Sequence, residues 1–407
     1  MQSQARPITH ACNHGLLGPA ALWQPPLPSA HEAGHCLHKW WQGRWVQQRH
    51  SQRNALHSSA PRSSVPSSSC WFEHDGYSFD CDPDANTSHW SWQPDVEACA
   101  LGRPINLEEL CARGSLLLVG DSTTLQVYRA LLKELHTAGA IAVDGGTHCT
   151  MERRCTPLRC ASGRSARVCY LEAFYLTNAA INLTSMGAVA PCCNRPRASG
   201  EAPRAPHAAD EHGWRQLLRS GFSKVVVNVA AHWAGQEGCR ETRRDPSTTP
   251  QLLAAFNATI STLLRTWARL SSEGADLWWR TQPSGHAGCD EADLGSRPLK
   301  PHEISSTATC ASSKRLWGRG SPAHDLYCWE RIPLLNSWAA GAFVAAGHRV
   351  LFADPPVLMR PDAHPGAFAT RVHSVSDCLH YCLAGPPKLF AQAILQHVWG
   401  RLSEMGR

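Results

Sequence analysis

The sequence predicts an α/β protein with a mostly parallel sheet, and three observations carry that expectation. Short, continuous apolar runs recur along the chain: Leu116–Val119, Val168–Tyr175, Lys224–Ala230, Asp276–Arg280 and Val350–Ala353. Stretches with helical spacing lie between or after them, at Gln251–Leu270, Pro333–Ala346 and Pro387–Leu402. The 407 residues are 43% hydrophobic and 18% charged, enough apolar material for a real core and too little charge for a disordered chain. Apolar strands separated by helices are buried on both faces, as parallel sheets are.

Residues 1–35 are rich in Pro and His, have no period, and read as disordered or spurious. Residues 36–111 read as a cysteine- and tryptophan-rich lobe, interrupted by a Ser/Arg/Pro linker at 51–69. Within it, Cys36–Val46 is compact and aromatic. Cys70–Cys111, with Trp71, Trp90 and Trp92, reads as loop-rich and pinned by disulfides. Residues 112–407 form the larger unit. It begins with the buried strand Leu116–Val119, ending at Gly120, and a helix carrying Leu125, Tyr128, Leu131, Leu132 and Leu135 on one face. Asn194–Gly213 and Glu291–Ala323 are polar and read as surface insertions. There are no internal repeats.

Charge and cysteine usage narrow the function classes. Thirty-nine basic against 33 acidic residues give +6, and the basic residues are scattered, which argues against a nucleic-acid partner. No apolar run approaches the roughly 18 residues of a membrane span. Eighteen cysteines spread from Cys12 to Cys382 fit disulfides made in an oxidising lumen. Glycosylation acceptors at Asn86, Asn182 and Asn257 agree. The first 35 residues hold no apolar segment suited to a signal, so a membrane anchor is expected upstream of this chain.

Two segments offer chemistry. In Leu116–Arg129 (LLLVGDSTTLQVYR) a buried strand ends, Gly120 turns the chain, and Ser122 stands just before an amphipathic helix. That is where open α/β sheets place ligands and where helix and turn amides can bind an oxyanion. Ser122 there is either a nucleophile or a helix N-cap, at even odds from the tripeptide alone. In Ser376–Pro386 (SDCLHYCLAGP), Asp377 and His380 are three apart, so one helical turn brings carboxylate and imidazole together. Ser122, Asp377 and His380 thus supply nucleophile, orienting carboxylate and base, with Cys378 and Cys382 placed to brace the turn.

These residues resemble a family. Gly120–Ser122 (GDS), Asp377–Leu383 (DCLHYCL) and Arg360–Pro365 (RPDAHP) are similar to the PC-esterase group, and within it to the trichome birefringence-like polysaccharide O-acetyltransferases of plants and green algae. Gly43–Val46 (GRWV), Trp90–Pro94 (WSWQP), Asn228–Trp233 (NVAAHW), Trp279–Thr281 (WRT) with His286, and Trp329–Asn336 (WERIPLLN) follow in the same order. The likeness runs from about Cys36 to Leu402.

The resemblance implies an SGNH-like three-layer α/β/α domain with an N-terminal cysteine-rich lobe. It implies Ser122 as the acyl-accepting nucleophile, His380 as base, and Asp377 fixing its tautomer. The Ser122 amide and the Asn228 side chain would be oxyanion donors, with Gly145-Gly146 as the candidate for a third. Many plant members carry an Arg-Asn pair where this chain has Leu125 and Gln126, which suggests a divergent branch and loosens any link to xylan-type acceptors.

Asp362 and His364 read as loop-shaping or acceptor-side residues rather than a rival dyad, since a two-residue spacing in a Pro-bracketed loop points the side chains apart. His232 and Trp233 read as lining an acceptor groove, with ordinary packing as the equal alternative. His31–His35 (HEAGH) matches a metalloprotease pattern but lacks a helical frame, and Cys149, Cys155, Cys160 and Cys169 lack the C-x-x-C knuckle of a zinc site, so no metal is expected. The leading expectation is a Golgi-lumenal O-acetyltransferase that moves acetyl through Ser122 onto a polysaccharide. No cofactor is bound; an acetyl donor, for instance one derived from acetyl-CoA, is a substrate. An esterase with the same triad and a catalytically silent glycan-binding protein are the rivals.

Overall fold

The computed structural model describes residues 40, 42–47, 90–99, 101–102, 104–141, 153–173, 176, 222–234, 249–271, 275–283, 285–286, 298, 331–352, 354–365 and 378–399. Among them lies one six-stranded sheet, order β4-β5-β3-β6-β7-β8. Its strands are β3 (Ser115–Gly120), β4 (Arg153–Pro157), β5 (Arg167–Glu172), β6 (Phe222–Asn228), β7 (Asp276–Arg280) and β8 (Arg349–Leu351). All neighbours are parallel except β4, which runs antiparallel to β5 along the edge. The expected α/β class with a parallel-rich sheet is what the chain adopts.

The strands read as continuous apolar runs because the sheet has two buried faces. Leu116 and Leu118 of β3, Val226 of β6 and Trp278 of β7 join one hydrophobic cluster; Leu117, Val119, Val225, Val227, Leu277 and Trp279 join another. Side chains alternate across a strand, so both sets must be apolar when both faces are covered. The first cluster includes helix α2 (Ser122–Thr137) and α7 (Pro386–Ala393), and the second α4 (Thr249–Leu270) and α5 (Ile332–Ala345). Three shorter helices complete the set: α1 (Leu107–Arg113), α3 (Ala230–Trp233) and α6 (Asp354–Leu358). None of the helices among the described residues is long and apolar enough to cross a membrane.

Some expected boundaries shift. The last helix begins at Pro386 and passes at Ile394 into a π turn ending at Trp399, whose Nε1 donates to Gly114 O at 2.9 Å. The stretch expected to be loop-rich contains α1, capped by Asn106, whose side chain accepts from Glu109 N. It also contains β2 (Trp90–Pro94), which pairs antiparallel with β1 (Gly43–Gln47). This ribbon shares the first core cluster: Trp40 and Trp92 are buried in it, with Trp92 Nε1 donating to Trp40 O at 2.6 Å. The linker, the polar stretches Asn194–Gly213 and Glu291–Ala323 (Pro298 excepted), and residues 1–35 with His31 and His35 lie outside the described residues.

Every cysteine among the described residues is disulfide-bonded: Cys99, Cys111, Cys155, Cys160, Cys169, Cys378 and Cys382. Cys111 joins Cys160, and Cys155 joins Cys169 across the β4–β5 pair. Three of the four cysteines weighed as zinc ligands are therefore spent in bridges; Cys149 lies outside the described residues.

Candidate active site

Helix α2 starts at the carboxyl end of the central strand β3. Gly120 is required there by close approach: a Cβ on it would lie 2.1 Å from Asn228 O and 2.2 Å from Thr124 Oγ1. The next residue, Asp121, is the N-cap, and its Oδ1 accepts from Thr123 N at 2.9 Å. Ser122 is thus released from capping and stands at the first helical position, where the sequence alone had left cap and nucleophile even. Its Oγ lies 2.7 Å from His380 Nε2. For that nitrogen to accept the serine proton, the ring must carry its own proton on Nδ1. Asp377, expected to hold that Nδ1–H, lies outside the described residues.

The start of α2 is tied down from the neighbouring strand. Arg280, at the end of β7, donates from Nη2 to Thr124 Oγ1 at 3.2 Å and lies over the Phe390 ring of α7 at 4.8 Å. The Thr123 hydroxyl lies 2.7 Å from Asp121 Oδ1 and 2.9 Å from Gln282 Oε1. Gln282 is itself gripped by a side-chain amide: Asn336 Oδ1 accepts from Gln282 N at 2.9 Å, and Asn336 Nδ2 donates to Gln282 O at 2.7 Å. The WRT and WERIPLLN blocks thus contribute scaffolding just behind the serine.

The base arrives on a loop whose main chain is held from three directions. Gln126, one helical turn after Ser122, donates from Nε2 to Tyr381 O at 2.7 Å and accepts from Tyr381 N at 3.1 Å. His286 N donates to Cys378 O at 3.0 Å, and Cys382 N to Ala363 O at 2.8 Å. His364 Nδ1 lies 2.5 Å from His380 O. Cys378 and Cys382, on either side, are both disulfide-bonded. Tyr381 of the same loop is buried in the first core cluster, and main-chain restraints of this kind help to keep the neighbouring imidazole in place.

The remaining expected residues fall in different places. Asn228 pairs in register with Gly120 at the carboxyl ends of the central strands β6 and β3, and its Nδ2 donates to Arg280 O at 2.8 Å. His232 on α3 is half-buried and lies in the fields of Asp121 and His380; burial pushes its pKa down, Asp121 raises it and His380 lowers it. Trp233, for which packing was the equal alternative, lies in the second core cluster. It is 1% exposed and meets Phe256 edge-on at 5.5 Å between ring centres. Asp362 is buried and bidentate to Arg360, at 2.8 and 3.0 Å, which matches its loop-shaping alternative. Arg360 in turn lies over the Trp45 ring of β1 at 4.3 Å. Gly145-Gly146 lies outside the described residues.

Gln126 and His286 carry structural roles that sequence reasoning missed. Gln126 stands four positions after Ser122, hence on its face of the helix; that spacing was the available signal. His286 makes its contacts only in three dimensions. It is buried, which pushes its pKa down to about 4, with Arg360 pushing the same way and the Leu358 carbonyl opposing.

No curated protein matches the chain. Residues 344–397, which include the loop bearing His380, match the model of the PC-Esterase family, described as a GDSL/SGNH-like acyl-esterase family found in Pmr5 and Cas1p, and this similarity supports an enzyme of the SGNH hydrolase or acyltransferase type.

Proposed function

We propose that this protein is a serine-dependent O-acetyltransferase of the secretory pathway, of the trichome birefringence-like kind, with a three-layer SGNH-like catalytic domain and a polysaccharide as acceptor. The observation that carries the reading is the 2.7 Å contact between Ser122 Oγ and His380 Nε2 at the carboxyl edge of the parallel sheet. Bonded cysteines on both sides of His380 favour an oxidising compartment such as the Golgi lumen.

In the first half-reaction His380 takes the Ser122 proton as Oγ attacks the donor's acetyl carbonyl. The tetrahedral oxyanion is met by the Ser122 amide at the start of α2 and by the second N–H of the Asn228 amide, whose first is fixed on Arg280 O. Asp377 holds the Nδ1–H of His380 and stabilises the imidazolium. The imidazolium then protonates the donor's leaving group, and acetyl remains on Ser122. In the second half-reaction His380 deprotonates a sugar hydroxyl, which attacks the acetyl-serine and regenerates the enzyme. His232, at the same edge, faces the acceptor side. Transfer outruns hydrolysis only if the sugar hydroxyl is held in near-attack geometry, where effective molarities reach about 10⁵ M.

The test supplies an activated acetyl donor with a panel of oligosaccharides and measures acetylated glycan against free acetate. Acetylated glycan in excess, with acetyl trapped on Ser122 by mass spectrometry, is expected. Free acetate dominating with every acceptor, together with deacetylation of acetylated glycans, would replace this reading by the esterase. An unlabelled Ser122 with a serine-directed probe would replace both by a glycan-binding protein.

A further inference from the structure

Behind His380 lies a pair of buried histidines that the proposed reaction does not use. His286 and His364 meet through His286 Nδ1 and His364 Nε2 at 2.7 Å. The outer nitrogens both face main-chain carbonyls: His286 Nε2 lies 2.8 Å from Leu358 O, and His364 Nδ1 lies 2.5 Å from the carbonyl of His380 itself. Carbonyl oxygens only accept, so both outer nitrogens must carry hydrogen. The run has three contacts and therefore needs three protons, whereas two neutral imidazoles carry two.

The third proton has an address. Burial keeps His286 neutral at physiological pH, so with its proton on Nε2 its Nδ1 is an acceptor. The nitrogen facing it, His364 Nε2, must then donate, while His364 Nδ1 donates to His380 O. We propose that His364 is an imidazolium and acts as the positioning residue of the base, holding His380 by its carbonyl so that Nε2 stays on Ser122; this rests on the Ser122–His380 reading above. The His364 ring is stacked on Tyr381 with centres 4.1 Å apart, a face that stabilises a cation. The titratable and charged groups on the elements around it, among the described residues, are His286, Arg360, Asp362, His380 and Tyr381. Arg360 and Asp362 are already paired with each other. The Tyr381 hydroxyl lies 3.5 Å from His286 Nδ1.

Loss of the extra proton leaves two lone pairs facing each other somewhere along the run, so one of the three contacts must open and the grip on the His380 carbonyl slackens. The rate should therefore fall as pH rises past the point where His364 deprotonates, separately from the rise at lower pH as His380 becomes a free base. His364→Asn places an amide N–H where Nδ1 was, and that donor does not titrate. His364→Leu removes the donor.

Two measurements test this. Nitrogen-15 NMR of the imidazoles at neutral pH should show one histidine protonated on both nitrogens, whose signals vanish in His364→Asn; a neutral His364 overturns the proposal whatever the enzyme's activity. The pH profile of Ser122 labelling by a serine-directed probe should lose its alkaline fall in His364→Asn while keeping its rate within about tenfold. In His364→Leu, kcat for acetyl transfer should drop about 10²-fold with KM unchanged, the scale of a misplacement of about 1 Å. An alkaline fall that persists in His364→Asn overturns the positioning role. Failure of the wild type to label at all refutes the Ser122–His380 reading instead, and the NMR result then still decides the protonation of His364.

Discussion

The two halves of the catalytic pair are built in opposite ways. Ser122 is placed by its immediate neighbours: a strand ends, Gly120 admits close approach from Asn228 and Thr124, Asp121 caps, and the helix begins. His380 is placed by residues far away. Its loop is held by Gln126 from 255 positions back in the chain and by His364 from 16 back, with bonded cysteines on each side. The nucleophile's position thus begins as a local turn, braced from afar by Arg280 and Gln282, whereas the base's position is set by distant residues throughout. Damage to the first should be chemical and confined; damage to the second should come from many directions.

The largest expected effect treats both halves as one unit. Ser122→Ala and His380→Ala should each lower acyl transfer by about 10⁴-fold, and the double variant should be no worse than the poorer single one, because residues that act together are not additive. A double variant slower than either by the product of the two would separate them.

Gln126→Leu comes next, and it strikes only the His380 side. It strands the Tyr381 N–H and C=O, costing about 2–6 kcal/mol of stability, since each buried unmet group costs about 1–3 kcal/mol. It should also lower kcat by about 10–100-fold with little change in KM. Denaturant unfolding beside steady-state kinetics reads both, and a stability loss with kcat intact would show that the loop needs no grip from the nucleophile's helix.

A third effect reaches the same side through acid. Burial lowers the His286 pKa from its ordinary 6.5 to about 4. Between those values the unfolded chain binds a proton that the folded one refuses. The associated stability, about 3 kcal/mol, is fully present above pH 6.5 and is lost progressively as pH falls to 4. His286→Asn should flatten that slope in a series of unfolding curves; an unchanged slope would place the acid sensitivity elsewhere.

The smallest effect belongs to the local side. Asp121→Asn keeps a good N-cap and should shift stability by less than about 0.5 kcal/mol, measured by thermal unfolding, whereas Asp121→Ala should cost about 1 kcal/mol.

This contrast also explains what could be read from the chain. The β3–α2 turn was legible because strand, glycine, cap and amphipathic period are adjacent in sequence, and the parallel sheet was legible because two buried faces force apolar runs. Ser122 as nucleophile was only half legible, since a serine before a helix also suits a cap; Asp121 taking that role is a matter of backbone geometry. His364 and Asp362 were visible as a motif, but which was scaffold and which touched the base depended on Arg360 and on a carbonyl in another loop. Trp233 was left between groove and core because a tryptophan at a strand's end suits both equally until the opposite helix, with Phe256, is in place.

The ribbon at the beginning of the chain bears on when the site can exist. Trp45 donates to Pro356 O at 2.7 Å across 311 positions, and its ring roofs Arg360, which fixes Asp362 two residues before His364. Ribosomes deliver the early tryptophan long before the late arginine. Contacts of such separation form slowly, because loop closure must precede any gain from them. Most of the chain is therefore made before the base can be set, and the site is complete only when the ribbon has met Pro356 and Arg360.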